Sequence, residues 1–130
     1  MAIINYIEID VILDHISLML AKNENFKVGI ISEKLSLNKI FGDMIIQNLK
    51  LLQIPIISCR EDRIKLSNGS YVNFYSIHQN NSILRGLNFD IFVCACCLTY
   101  DWEMFIRTLN IDSVYRAYEK IEEFNNAQNN

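Results

Sequence analysis

Two short runs that are apolar at almost every position constrain the fold of this chain most strongly. Phe26 to Ser32 (FKVGIIS) is too short for an ordinary helix, and Phe89 to Leu98 (FDIFVCACCL) is rich in β-branched and aromatic residues. Strands that are apolar on both faces are typical of parallel sheets covered by helices on both sides. The two runs therefore predict an α/β fold with parallel central strands.

Helical patterns precede and follow the first of these strands. Apolar residues at helical spacing predict a helix from Tyr6 to Lys22, and Asn5 with Glu8 has the form of a capping box at its start. Ser36 is the predicted cap of the next helix, and Pro55 ends that region. We therefore expect the first strand to be flanked by helices that pack on the sheet.

The clearest local signal in the chain is a hairpin. Two alternating runs, Arg63–Leu66 and Tyr71–Ile77, flank an Asn-Gly pair that tolerates the positive φ angles of a type I′ turn. Two closing helices are predicted, from Tyr100 to Leu109 and from Ser113 to Phe124. The expected architecture is a small three-layer domain, in which helices flank a mixed sheet with an antiparallel hairpin at one side.

Length and charge limit the organisation and the binding classes. A chain of 130 residues has room for one domain, predicted over residues 1–124, with a disordered tail over residues 125–130. A net charge of −3 argues against a broad electrostatic footprint for nucleic acid, although a local basic patch stays open. The sequence lacks both a signal-peptide pattern and the roughly 20 apolar residues of a membrane-spanning helix. We therefore expect the protein to stay in the compartment where it is made.

Three stretches of sequence carry a family resemblance when they are taken in order. They are Val28–Ser32 (VGIIS), Ile64–Phe74 (IKLSNGSYVNF) and Arg85–Asp90 (RGLNFD). Together with the predicted element order, they resemble the ATPase domain of phage terminase large subunits and related helicase-type P-loop ATPases, over about Tyr6 to Leu109. The resemblance implies a RecA-like domain of viral type that acts in the cytoplasm of a host cell.

The chain departs from this family in both halves of the phosphate-binding machinery. The phosphate loop needs glycines and a lysine ahead of the first helix, and Met1–Asn5 contain neither. The resemblance also aligns the Asp and Glu that serve Mg²⁺ and water with Ala95 and Cys96, which cannot replace carboxylate oxygens. We therefore predict that the protein is not an enzyme and has no catalytic residue and no cofactor. The remnants of the family's motifs are Arg85, Gly86, Asp90, Ala95 and Cys96, with Arg85 predicted to pair with Asp90 or to cap backbone carbonyls.

The cysteines raise the alternatives of a zinc site or a thiol nucleophile. On a strand, Cys94 and Cys96 share one face while Cys97 points to the other, and no local signature of a Cys–His enzyme is present. The further ligands that such a site would need are Cys59, His15 or His78. Small buried hydrophobic side chains are the commoner role for cysteines in such a run, so no metal site is predicted.

Basic and aromatic residues come together on the predicted hairpin. Arg60, Arg63 and Lys65 form a compact basic cluster near Tyr71 and Tyr75. Cations beside aromatic rings can hold single-stranded nucleic acid through phosphate contacts and base stacking. A nucleic-acid-binding accessory factor in viral DNA replication or packaging is therefore the alternative function, although Glu61 and Asp62 interrupt the cluster.

The two closing helices are unusually rich in large apolar side chains. Some of these must cover the sheet, and any surplus would form an aromatic patch suited to a protein partner. The predicted partner-binding residues are Trp102, Phe105, Tyr115 and Tyr118. The favoured function is a non-catalytic module that docks on a host factor or a viral ATPase, or on further copies of itself, and modulates the partner.

Overall fold

The computed structural model describes residues 3–118, and of residues 3–5 only the backbone. Within that range, strands, helices and one 3-10 helix alternate along the chain. In order they are β1 (Ile3–Glu8), α1 (Ile9–Lys22), β2 (Lys27–Ser32), α2 (Leu35–Leu51), β3 (Ile56–Arg60), β4 (Arg63–Leu66), β5 (Tyr71–Ser76), the 3-10 helix (Asn81–Leu84), β6 (Asn88–Cys94), α3 (Tyr100–Thr108) and β7 (Asn110–Tyr118). The tail predicted over residues 125–130 lies outside the described residues.

The strands form one mixed sheet in the order β1-β7-β6-β2-β5-β4-β3. The five strands from β1 across to β5 are all parallel, and β4 and β3 continue the sheet in antiparallel pairing. At its centre, Ile30 of β2 lies between Phe74 of β5 and Val93 of β6. This arrangement confirms the predicted fold class, a RecA-like α/β sheet with parallel central strands and a hairpin at one side.

Each face of the sheet buries its own core. Helices α1 and α2 cover one face, where Val28, Ile30 and Val93 pack against Leu13 and Ile45. Helix α3 and the 3-10 helix cover part of the other face, where an aromatic group packs against buried residues of these two elements. That second core includes Ile31, Tyr75, Leu84, Phe89, Phe92, Trp102, Ile106 and Val114. The helix–sheet–helix layering thus follows from strands that are apolar on both sides.

The turn of the β4–β5 hairpin holds the loop between α1 and β2. Asn68 Nδ2 donates to the carbonyl oxygen of Leu20 at 2.8 Å, and Ser70 Oγ donates to that of Asn23 at 2.9 Å. Gly69 has a φ of +85°, but Asn68 is not among the positive-φ residues, so the predicted type I′ turn is wrong. The loop has three residues between Leu66 and Ser70, and the single left-handed residue is the glycine.

The predicted start of the first helix at Tyr6 is also wrong, whereas its predicted end at Lys22 is confirmed. Tyr6, Ile7 and Glu8 belong to β1, and Glu8 caps α1 without any side-chain hydrogen bond, so there is no capping box. Ser36 lies inside α2, whose N-cap is Lys34. Asn5 and Glu8 resemble a capping box in sequence, but the parallel pairing of this segment with β7 makes it a strand.

The second closing helix, predicted from Ser113 to Phe124, is wrong over residues 113–118, and residues 119–124 lie outside the described residues. Asn110–Tyr118 form β7, which fills the space between β1 and β6 and pairs with both. Large apolar residues such as Val114 and Tyr115 occur in a strand covered on both faces just as they do in a helix, so periodicity alone did not separate the two. Strand β6 is shorter than predicted and ends at Cys94, whereas α3 agrees with the helix predicted from Tyr100.

A glycine in β2 makes room for the aromatic group on the α3 face. A Cβ atom at Gly29 would lie 2.6 Å from Phe92 Cδ2 and 2.9 Å from Phe89 Cε1, closer than van der Waals contact allows. The two phenylalanine rings meet edge to face with centroids 5.2 Å apart, and the Tyr75 ring stacks 6.4 Å from Phe92. The rings of Phe89 and Phe92 therefore pack directly against the backbone of β2.

We predict that Gly29→Ala lowers the free energy of unfolding by about 1–3 kcal/mol, because the new methyl group forces the buried rings apart. Gly42→Ala is the matched control. A Cβ at this helical position meets Phe74 Cζ only at 3.4 Å, and alanine favours the helix by ~1 kcal/mol. Urea unfolding of both variants measures the difference. Equal stability of the two variants would contradict the proposed packing of the rings on Gly29.

Candidate functional site

The carboxyl ends of the parallel strands define the edge at which open α/β sheets usually bind ligands. In this chain the strands end there at Glu8, Ser32, Ser76, Cys94 and Tyr118. A buried hydrogen-bond network lies at the end of β2. Ser32 Oγ donates to Asn38 Oδ1 at 2.7 Å, and Asn38 Nδ2 donates to the carbonyl oxygen of Tyr75 at 3.1 Å. The central part of this edge is thus occupied by polar groups that satisfy one another.

In P-loop proteins the phosphate loop lies between a strand and the helix that follows it, so the first such junction here is the one between β1 and α1. Strand β1 ends at Glu8 and α1 begins at Ile9, so no loop residue separates them. From Tyr6 to Asp10 the chain contains no glycine, lysine, serine or threonine. Glu8 and Asp10 instead place two carboxylates at the start of the helix, where a phosphate would need positive potential. The expectation that the loop position falls on Met1–Asn5 is wrong, because residues 3–8 form the strand.

The residues after β6 occupy the place where the resemblance puts the Mg²⁺ carboxylates. The backbone N–H of Ala95 donates to the carbonyl oxygen of Ile31 at 2.8 Å, so Ala95 and Cys96 lie at the carboxyl edge of the sheet. The side chains at these two positions are a methyl group and a thiol. Neither is a ligand that Mg²⁺ prefers.

An arginine that the sequence analysis missed also lies near this edge. Arg116 of β7 has its Nη2 atom 3.4 Å from Glu103 Oε1 of α3, and its guanidinium lies 6.0 Å from the centre of the Tyr6 ring. Its Nε atom is buried, and within residues 3–118 it has no hydrogen-bond partner. Periodicity along Asn110–Tyr118 does not separate a strand from a helix, so no local signal placed this arginine on a strand. The side chain is about one-third exposed and ties β7 to α3.

Burial keeps the thiols of Cys94 and Cys96 in their neutral form. Burial, with a smaller effect of the neighbouring Cys96 thiol, raises the pKa of Cys94 to about 12. Burial and the Cys97 thiol raise the pKa of Cys96 to about 11. Because β6 ends at Cys94, the predicted alternation of Cys96 and Cys97 across a strand does not apply. A thiol kept neutral is a poor nucleophile and a poor metal ligand.

Two further kinds of site are absent from residues 3–118. Between residues 3 and 118, no three His, Cys, Asp or Glu side chains are grouped as metal ligands would be. None of the helices in that range combines the length and the apolar character needed to cross a membrane.

The residues before and within β6 that the resemblance marks as motif remnants, Arg85, Gly86 and Asp90, have contacts within the fold that can be compared with the predicted pairing. Asp90 Oδ2 accepts a hydrogen bond from the backbone N–H of Lys27 at 2.8 Å, which joins β6 to the start of β2. Arg85 is exposed after the 3-10 helix, and in the described part of the chain it forms no ion pair. The predicted pairing of Arg85 with Asp90 is therefore wrong. Gly86 has a φ of +81°, and a Cβ added to it would meet no atom within 4 Å, so the glycine is required by the turn into β6 and not by close packing.

The predicted aromatic partner patch does not exist as one surface. Trp102 is only 4% exposed, and its Nε1 donates to the carbonyl oxygen of Ile77 at 2.9 Å. Phe105 packs against the α3-side core, whereas Tyr115 packs against the α1 side. Tyr118 is the exposed member of the four, at the end of β7. The patch is lost because the chain forms a strand where the second helix was predicted.

The predicted nucleic-acid residues do lie together, with one exception. Arg60, Arg63 and Lys65 are exposed on β3 and β4, and the Arg63 guanidinium lies 5.4 Å from the centre of the Tyr71 ring. Burial raises the pKa of Tyr71, and the charge of Arg63 opposes this effect. Tyr75 is 8% exposed and belongs to the aromatic group on Gly29, so its ring is not available for stacking with a ligand.

Comparison with known proteins identifies the fold. The sequence matches no known protein-family model, and no curated protein is significantly similar to it. Solved structures do match: the large terminase ATPase domain of Thermus phage P74-26 and a point mutant of it each give a TM-score of 0.62. Sequence identity is 13% and 12%, over 92% of this chain and 59% and 60% of those chains. This chain thus has a terminase-like RecA fold and spans about three-fifths of the length of those domains.

We predict that the cysteines differ sharply in reactivity in the native protein. Iodoacetamide at pH 7.5 should modify the exposed Cys59 and Cys97 first, because the raised pKa and burial of Cys94 suppress its thiolate. Peptide mapping by mass spectrometry measures the rates, and the urea-unfolded chain, in which all four should react alike, is the control. Native modification of Cys94 at the rate of Cys97 would contradict the burial described for β6.

Proposed function

We propose that this protein is a non-catalytic viral interaction module, which keeps the scaffold of a packaging-type ATPase and acts by docking on a protein partner. The main support is the β1–α1 junction, where the strand runs into the helix without a phosphate loop. A P-loop needs several consecutive backbone N–H groups and a lysine around the phosphates, and a junction with no intervening residue offers neither. The side chains of Ala95 and Cys96 support the same conclusion from the Mg²⁺ side.

The free edge of β1 is the surface best suited to a partner. The sheet order ends at β1, so one side of its backbone has no neighbouring strand in the described structure. The segment Ile3–Glu8 contains no lysine, arginine, proline or glycine, and its register with β7 is unbroken. Unprotected edges of this kind accept an additional strand from another chain.

The opposite edge of the sheet shows the protection that β1 lacks. Strand β3 follows Pro55, carries a register irregularity between Ile56 and Ser58, and ends with the exposed Arg60. Bulges, proline and charge are the usual means of preventing edge-to-edge pairing. The contrast favours β1 as the docking edge. The partner would be a host factor, a viral ATPase or a second copy of this chain, any of which could add a strand.

Exposed aromatic rings border the β1 edge on the α3 face. Tyr6 is 71% exposed on β1, and Tyr118 is 45% exposed on β7. Tyrosines at an edge supply large contact area at low entropic cost when a partner strand arrives. The docking surface therefore combines the outer edge of β1, which has no neighbouring strand in the described structure, with two side chains that a partner can cover.

We predict that the protein does not hydrolyse ATP in the presence of Mg²⁺ and that ATP with Mg²⁺ does not stabilise it. A ligand present at 100 times its dissociation constant would raise the free energy of unfolding by about 2.7 kcal/mol, which thermal melting detects readily. We expect an unchanged midpoint at millimolar ATP and no phosphate release above a buffer control. Mg²⁺-dependent turnover in a preparation free of contaminating ATPases would overturn the proposed function.

We predict that Tyr6→Glu weakens docking while leaving the fold intact, because a charge at the edge opposes strand addition and Arg116 accommodates the carboxylate. Tyr100→Glu is the matched control, since Tyr100 is 74% exposed on α3. Nuclease-treated pull-downs and sedimentation velocity compare both variants with the wild type. Recovery or self-association should fall roughly tenfold for Tyr6→Glu alone, the usual effect of losing an interface anchor. An equal loss in both variants, or none in either, would contradict docking at β1.

A further inference from the structure

The antiparallel end of the sheet exposes a row of cations on one face. Pairing places Arg60 opposite Arg63 and Lys65 opposite Tyr71, and the alternation of side chains puts Arg63, Lys65 and Tyr71 on the same side of β4 and β5. We call this surface the hairpin face; its residues are Arg60, Arg63, Lys65, Tyr71 and Asn73. It lies on the α3 side of the sheet, beyond the aromatic group that fills the space over Gly29.

The charges of the hairpin face are available to a ligand. Arg60, Arg63 and Lys65 are all exposed, and none of them forms an ion pair with another described residue. Neighbouring strands are about 4.8 Å apart, so the three side chains form one compact cationic strip. On a protein of net charge −3, such a strip marks a local and oriented anion contact rather than general attraction to polyanions.

An aromatic ring lies in the middle of this strip. The Tyr71 ring is only partly buried, and the Arg63 guanidinium lies 5.4 Å from its centre. A tyrosine with a stacked arginine offers flat surfaces to a nucleobase, and stacking of this kind contributes about 1–3 kcal/mol per base. The three cations, which can contact phosphates, therefore surround a tyrosine ring on which a base can stack.

A polar cleft opens beside Arg63 on the same face. Its lining side chains include Asp62, Arg63, Asn73, Gln79 and Ile83. Asn73 Nδ2 donates to Tyr75 Oη at 3.2 Å, and Gln79 Oε1 accepts from the Ser76 backbone N–H at 2.9 Å. These bonds leave Asn73 Oδ1 and the Gln79 amide nitrogen for hydrogen bonds to a ligand. Asp62 repels phosphate, so the cleft suits the polar edge of a base and not the backbone.

From this geometry we infer that the hairpin face binds single-stranded nucleic acid, with phosphates on Arg60, Arg63 and Lys65 and an unpaired base on Tyr71. A duplex keeps its bases stacked on one another and cannot place one on the ring. The strip is also too small to neutralise the many phosphates that tight duplex binding requires. The contact is separate from the β1 edge, because β1 and the hairpin lie at opposite ends of the sheet.

Fluorescence anisotropy with a labelled oligodeoxythymidylate of about a dozen nucleotides tests this inference, with a duplex of the same length for comparison. The wild type should prefer the single strand, and log affinity should fall with log salt with a slope of roughly −0.7 per phosphate contact. Absence of binding at about 50 mM salt, or equal affinity for the duplex, would overturn the inference.

Two pairs of variants separate the proposed contacts from general effects. Arg63→Glu with Lys65→Glu should reduce affinity at least tenfold and flatten the salt slope, whereas Lys22→Glu with Lys50→Glu changes the net charge equally on α1 and α2 and should have little effect. Tyr71→Leu should lose roughly tenfold, and Tyr71→Phe should retain binding because it keeps the ring. An equal loss of affinity in the two double charge-reversal variants, or in Tyr71→Leu and Tyr71→Phe, would contradict the assigned site. Circular dichroism and thermal melting confirm that each variant is folded.

Discussion

The burial of β2 on both of its faces is the constraint on which the rest of the structure depends. Val28 and Ile30 face the core under α1 and α2, while Ile31 faces the core under α3. Neither face of such a strand contacts water, so the strand must lie in the middle of a sheet that helices cover on both faces. Gly29 adds a local condition, because only a residue without a side chain lets Phe89 and Phe92 close over the strand.

The order of strands then separates two surfaces with different properties. At one end of the sheet, the outer edge of β1 has no neighbouring strand among the described residues, and β1 carries the exposed Tyr6. At the other end, the hairpin extends the sheet past the coverage of α3 and exposes Arg60, Arg63 and Lys65. Between them, the carboxyl edge that usually holds ligands in such folds has a closed β1–α1 junction and neutral thiols. One fold can carry different chemistry at this edge, because function resides in the side chains that are placed on a scaffold.

Several misplaced predictions have a common physical cause. The predicted start of the first helix at Tyr6, the helix expected from Ser113 and the aromatic patch that depended on it were all inferred from local patterns. In the structure, β1 and β7 pair with each other over six residues, and β7 also pairs with β6. Those hydrogen bonds join segments more than 100 residues apart in sequence, so no window of neighbouring residues contains the information that makes both of them strands.

The sequence by itself determined the parts of this protein whose cause is local. The apolar runs of β2 and β6 and the Asn-Gly hairpin are visible in neighbouring residues, and the resemblance to terminase ATPase domains agrees with the observed fold. Only the tertiary structure decided which edge is free, that Trp102 and Tyr75 are buried, and that Arg116 meets Glu103. Exposure and long-range pairing depend on how distant segments pack, and that packing is a property of the assembled sheet.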